Sequence, residues 1–198
     1  ELAIETDRAL VAVGRVANTD GLGLEAVGVA HSPKGIAVDG NMQTNVAGVY
    51  AIGDVNGRQM LAHAATMQGI RAVNHILGRA DTIDFSVMPA AVFTRPEAGS
   101  VGLSEDACKA QGLDYTCRKA FYRANGKALA MGETDGMVKL MADSATGRIL
   151  GCHAFGAHAA DIIQEVSVLM CSHATLGRLR DMTHIHPTLG EMVQDLAF

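Results

Sequence analysis

The sequence has no block of lysine or arginine: its 16 basic residues are dispersed among 21 acidic ones, for a formal charge of -5. It therefore lacks the electrostatic footprint by which a protein engages nucleic acid or an anionic membrane, and neither partner is expected. No apolar run approaches the roughly 18 residues needed to suspect a membrane-spanning helix. The opening Glu1-Leu-Ala-Ile-Glu-Thr-Asp-Arg8 has no basic secretory start, so a cytoplasmic address is expected. Cysteine is sparse too. Cys108, Cys117, Cys152 and Cys171 contain no Cys-x-x-Cys spacing, and reduced core thiols suit an intracellular address better than bridges, so none is assigned a redox role. No metal is expected either, because His184 and His186 form an extended His-x-His with no further ligand pattern.

What remains is a globular composition. With 198 residues, 48% hydrophobic and 19% charged, the chain can bury a sizeable core in one or two domains. Ala9 to Val13 reads as a short buried strand, followed by the polar connector Gly14 to Asp20. Gly21-Leu-Gly-Leu-Glu-Ala26 passes superficially for a dinucleotide fingerprint, but it follows a connector rather than a strand and reaches Pro33 before any long helix is possible. Gly35 to Asp39 and Val49 to Ile52 read as strands, the second ending at Gly53-Asp54. A glycine there lets a ligand approach the backbone, and the aspartate offers acceptors to sugar-like hydroxyls; an ordinary turn or cap explains the same pair. Met60 to Leu77 is the clearest helix, with Gly78 as its stop. Its first turn, Met60-Leu61-Ala62-His63, closely follows Asp54 and could turn unpaired amides toward a polar or anionic group.

The rhythm changes at about residue 84. Strands are expected near Ala91 to Phe93, Gly99 to Val101, Tyr115 to Phe121, Gly136 to Ala142 and Ile149 to Phe155, with a helix near Ser104 to Gln111 and a hairpin turn at Ser144 to Gly147. That is an antiparallel α+β arrangement. Ala159 to Ser172 reads as a helix apolar over more than one stripe, hence buried on most sides by its own domain or in part by a second subunit.

The segment His184-Ile-His-Pro-Thr-Leu-Gly-Glu191 carries the chemistry. Pro187 biases His186 to an extended backbone. Thr188 can then cap a short helix, from whose first turn the Glu191 carboxylate can reach one ring nitrogen of His186, fixing the tautomer and leaving the other nitrogen for proton transfer. Thr-x-x-Glu is also a capping box, in which Glu191 only satisfies amides at a helix start. The residues leave both readings open.

Taken in order, Thr44-Asn-Val-Ala-Gly-Val-Tyr-Ala-Ile-Gly-Asp54, Met60-Leu-Ala-His63, Phe93-Thr-Arg-Pro-Glu97 with Val101-Gly-Leu-Ser-Glu105, Gly132-Glu-Thr-Asp-Gly-Met-Val-Lys-Leu140, Gly147-Arg-Ile-Leu-Gly151 and His186-Pro-Thr-Leu-Gly-Glu191 resemble the C-terminal half of the dihydrolipoyl dehydrogenase branch of the pyridine nucleotide-disulfide oxidoreductases. The resemblance runs nearly end to end. It implies that residues 1 to 84 comprise the last strand of an NAD domain and a central FAD-contacting region, the remnant of a Rossmann-like unit. Residues 85 to 198 would form a dimer-interface domain, an antiparallel sheet flanked by helices. It implies FAD and NAD as cofactors of the longer parent, with Gly14 near the nicotinamide nucleotide, Asp54 on the ribityl hydroxyls, and Met60, Leu61, Ala62 and His63 packed on the flavin and its phosphate side. His186 and Glu191 would be the acid/base pair serving a partner subunit's disulfide. Implied partners are a second copy and the lipoyl-bearing acyltransferase or H-protein subunits of a 2-oxo acid dehydrogenase or glycine-cleavage complex.

The family's Gly-x-Gly-x-x-Gly for FAD and its Cys-x4-Cys redox pair have no counterpart here, so the chain alone is expected neither to hold FAD firmly nor to turn over. Val16-Ala17 stands where Arg-Pro is commoner, and Gly190 where Ser is. The alternatives are a non-catalytic dimerisation or docking module, or a reductase of another disulfide.

Overall fold

A computed structural model describes residues 2–198, which divide into two compact units, Glu1–Ile83 and Asp84–Phe198. In the first, a two-stranded hairpin, β1 (His31–Ser32) and β2 (Gly35–Ile36), and a 3₁₀ turn at Gly53–Asn56 are followed by helix α1 (Ala62–Ile76). Leu24, Val29, Ile36 and Ala51 form a small core against Val38, Val46 and Val55. Helix α1 stops where glycine permits a left-handed residue. Gly78 has φ +65°, its N–H donates to the His75 carbonyl and the next N–H, that of Arg79, donates to the Asn74 carbonyl, a Schellman closure.

Two expected strands are absent from this unit. Ala9 to Val13 forms no strand, and Leu10 and Val13 are 92% and 94% exposed. An extended apolar segment becomes a buried strand only beside another strand that takes its backbone hydrogen bonds, and among the described residues none pairs with it. Val49 to Ile52 is likewise reduced to one antiparallel bridge between Gln43 and Tyr50, with Ala51 buried. The glycine-rich Gly21 to Ala26 leads only into a 3₁₀ turn, Glu25–Val27, ended by Gly28.

The second unit is built on a five-stranded antiparallel sheet. Its strands are β3 (Ala90–Val92), β4 (Glu97–Gly102), β5 (Tyr115–Phe121), β6 (Met137–Asp143) and β7 (Ile149–Gly156), in spatial order β3-β4-β7-β6-β5. Alternate residues Val138, Leu140 and Ala142 are buried, and Leu140 pairs with Cys152, itself paired with Val101, giving a continuous apolar core across three strands. Helix α2 (Glu105–Ala110) opens with the Ser104 hydroxyl accepting from the Ala107 N–H at 3.0 Å. Helix α4 (Ala159–Cys171) packs on β3, β4 and β7, burying Ile162, Ile163, Val166, Leu169 and Met170, while Val168 faces out. Contact with β4 requires glycine: a Cβ on Gly99 would lie 2.8 Å from Ile163 Cγ1 and 3.0 Å from the Ala159 carbonyl oxygen. Three short helices complete the unit: α3 (Gly126–Met131), α5 (Leu176–Arg180) and α6 (Glu191–Asp195). Among the described residues, no helix is long and apolar enough to cross a membrane.

Candidate functional site

The His186 imidazole and the Glu191 carboxylate meet. Nδ1 of His186 lies 2.8 Å from Glu191 Oε1, and Glu191 Oε2 accepts the Thr188 backbone N–H, also at 2.8 Å. The carboxylate thus makes both of the contacts that the sequence left open, one with each oxygen. Gly190 occupies the cap position of α6 and offers no side-chain bond, while the Thr188 hydroxyl turns back to the Ile185 carbonyl at 2.6 Å. Glu191, not Thr188, supplies the acceptor at this helix start. The Thr188 amide first, and His186 second, hold the Glu191 carboxyl below its ordinary value of 4.5, so it is ionised at neutral pH. An ionised carboxylate only accepts, so Nδ1 of His186 carries the hydrogen of this bond, and in the neutral ring Nε2 is then the nitrogen with the lone pair. With its side chain 78% exposed against 25% for Glu191, the imidazole is presented outward on a sheltered carboxylate.

The chain around this pair is anchored from several sides. Leu189, Met192, Val193 and Leu196 sink α6 and its approach into the main core. Asn125 Oδ1 accepts from the Ala128 N–H at the start of α3, and its Nδ2 donates to the Thr188 carbonyl at 3.0 Å. Gln194 Nε2 donates to the Met182 carbonyl. His184 is bonded within the fold: its Nε2 lies 2.6 Å from Glu165 Oε1 on α4. These supports were missed in the sequence, because Asn125 and Glu165 stand 63 and 19 positions from the residues they hold. The one local signal was Asn125 itself, a good cap residue three positions before Ala128.

In the first unit, Asp54 lies in the 3₁₀ turn Gly53–Asn56, with its carboxylate half exposed. The turn is fixed from beneath by the buried Gln68, whose Oε1 accepts from the Gly53 N–H at 2.7 Å and from Asn56 Nδ2 at 2.8 Å. Arg15 brings the other elements to it: Nη2 donates to the Met60 carbonyl at 3.3 Å, and Nη1 lies 3.8 Å from Asp54 Oδ2. Gly14, exposed and at φ +143°, is the residue before it. Helix α1 begins with Leu61 in the cap position, a residue with no side-chain acceptor, while Ala62 and His63 are exposed. The start of this 15-residue helix thus lies close to the half-exposed Asp54 carboxylate.

Comparison with known proteins identifies the family. Residues 88–197 match the pyridine nucleotide-disulphide oxidoreductase dimerisation domain, and residues 1–69 match the pyridine nucleotide-disulphide oxidoreductase domain. The chain belongs to this family. Among curated relatives, it is 42% identical over 189 residues to the dihydrolipoyl dehydrogenase of Chlamydia muridarum, covering 95% of this chain and 41% of that protein. It is 40% identical over 198 residues to a dihydrolipoyl dehydrogenase of Bacillus subtilis, covering 100% of this chain and 42% of the relative. The solved structure of LpdA from Mycobacterium tuberculosis superposes with a TM-score of 0.85 at 31% identity, over 92% of this chain and 40% of that one. The HOCl-induced flavoprotein disulfide reductase RclA from Escherichia coli gives 0.84 at 26%, over 94% and 43%. The chain therefore spans about two-fifths of the length of the proteins it matches. The mixed α and β architecture with an antiparallel sheet agrees with the family expectation.

Proposed function

We propose that these 198 residues are the C-terminal portion of a cytoplasmic, homodimeric flavoenzyme that oxidises dihydrolipoyl groups with NAD. In this reading residues 1–84 complete the nucleotide-binding region and residues 85–198 form the interface domain. The observation that carries the reading is the His186/Glu191 pair: an outward imidazole whose tautomer is set by an ionised carboxylate, on a chain 40–42% identical to dihydrolipoyl dehydrogenases.

The outward Nε2 of His186 accepts the proton of a dihydrolipoyl thiol, leaving the thiolate, which is the competent nucleophile toward a disulfide. Glu191 stabilises the imidazolium so formed. The redox disulfide belongs to a part of the protein outside this chain, and we assign it to a partner subunit. FAD, when bound, supplies the two-electron carrier between that disulfide and NAD. Asp54 would accept hydrogen bonds from its hydroxylated chain, Met60 to His63 would lie along its flavin and phosphate side, and Gly14 would leave room near the nicotinamide nucleotide. The lipoyl carrier would be an acyltransferase or H-protein of a 2-oxo acid dehydrogenase or glycine-cleavage complex.

His186→Gln in the full-length flavoprotein tests the reading. Dihydrolipoamide turnover is expected to fall by roughly 10² to 10⁴ while flavin absorbance persists; normal turnover in this variant would remove His186 from the mechanism.

A further inference from the structure

The second imidazole–carboxylate pair, on the same loop as the first, has no part in the proton transfer above. His184 is nine-tenths buried, and its Nε2–H donates to Glu165 Oε1 at 2.6 Å. Its other nitrogen, Nδ1, is enclosed without a hydrogen-bond partner. A buried polar atom left unpaired is unfavourable and calls for a reason. An apolar side chain of similar size would fill the same space without the orphan nitrogen, so stability alone does not explain a histidine here.

Geometry supplies that reason. The loop from Met182 to Gly190 is fastened at its ends, by Gln194 to the Met182 carbonyl and by Asn125 to the Thr188 carbonyl. Between those fastenings lie Ile185 and His186, both well exposed and lacking core contacts of their own. A hydrogen bond that crosses from this stretch to α4 is Glu165–His184, at 2.6 Å. Gly190 closes over it: a Cβ there would lie 3.3 Å from Glu165 Oε2 and 3.8 Å from His184 Cδ2. Beside the pair opens a groove of about 1090 Å³, lined by Met131, Ile162, Met182 and Pro187. We propose that Glu165 and His184 are positioning residues, clamping the middle of the loop to α4 so that the His186 ring is held on Glu191 with Nε2 outward. Their catalytic consequence rests on the functional reading above; the positioning itself does not. An error of about 1 Å in a reacting group can cost a hundredfold in rate, so a clamp two residues from the base matters to chemistry.

The first test needs no turnover. Imidazole nitrogen NMR of the 198-residue chain should show His186 chiefly as the Nδ1–H tautomer. Glu165→Ala, and His184→Leu as a second variant that keeps the volume, are expected to relax that signature toward the free-histidine pattern. Glu165→Gln, whose amide oxygen still accepts from Nε2–H, is expected to retain it. A folded Glu165→Ala or His184→Leu chain with an unaltered His186 signature overturns the proposal, as does loss of the signature in folded Glu165→Gln. In the full-length flavoprotein, Glu165→Ala should lower kcat for dihydrolipoamide roughly tenfold with little change in KM, and Glu165→Gln should restore most of it. An unchanged kcat in the alanine variant counts against the clamp, whereas a wild-type enzyme inactive on dihydrolipoamide overturns the functional reading and leaves the NMR test standing.

Discussion

Each oxygen of the Glu191 carboxylate has its own donor, the His186 ring on one and the Thr188 amide on the other, and this division defines the residue scale of the site. Glu191→Gln would keep a neutral acceptor for one donor but lose the charge that stabilises an imidazolium; turnover of the full-length enzyme should drop while the fold persists. The same bonds predict a pH dependence. The folded carboxyl is held below its ordinary 4.5, so the stabilisation it gives the loop is present above that value and is lost as pH falls through the lowered one. Protection of the Thr188 amide, its exchange rate relative to the intrinsic rate at the same pH, should hold from neutral pH down to the ordinary carboxyl value of 4.5 and be lost only below it; loss of protection between pH 7 and 5 would contradict this. The sequence displayed His186 and Glu191 because five positions joined by a proline and a helix start form a local device. It did not display Glu165 or Asn125, because their partners come close only once α3 and α4 are packed on the sheet.

At the scale of elements, packing on the sheet decides what is rigid. Helix α4 approaches β4 so closely that Gly99→Ala would place a methyl 2.8 Å from Ile163 Cγ1, and it should destabilise the chain by about 1–3 kcal/mol in thermal or denaturant unfolding. In the first unit, Gln68→Leu removes the acceptor of the buried Gly53 amide and of Asn56; a loss of about 1–3 kcal/mol is expected, with the Gly53–Asn56 turn loosened. An unchanged melting temperature in either variant would remove that contact from the account. The strands β5, β6 and β7 and the helices α1 and α4 were legible because alternation and helical periodicity each run long enough to register; α2, only six residues, was marked by its Ser104 cap, and Gly78 marks the end of α1. Helices α3 and α5 were not. Each is at most six residues long and is defined by a cap, Asn125 or Thr175, together with packing against distant segments. Ala9 to Val13 failed in the opposite sense, an apolar run whose strand character depends on a neighbour absent from the described residues.

The whole molecule is two units, of which Asp84–Phe198 matches a dimerisation domain and carries exposed apolar side chains at Val92, Phe93, Phe155, Val168 and Ile185. Large apolar groups left in water on a domain of this family are the expected surface of a second copy. Sedimentation of the chain at micromolar concentration should give a dimer, and a monomer would mean that contacts outside these residues are needed. The central claim, that the outward imidazole on its carboxylate serves dihydrolipoyl oxidation, is tested most directly by one assay. It is NADH formation from dihydrolipoamide by the full-length flavoprotein that contains these residues, run beside glutathione disulfide reduction. Turnover with dihydrolipoamide and none with glutathione disulfide is expected; turnover only with glutathione disulfide or another disulfide would contradict the claim.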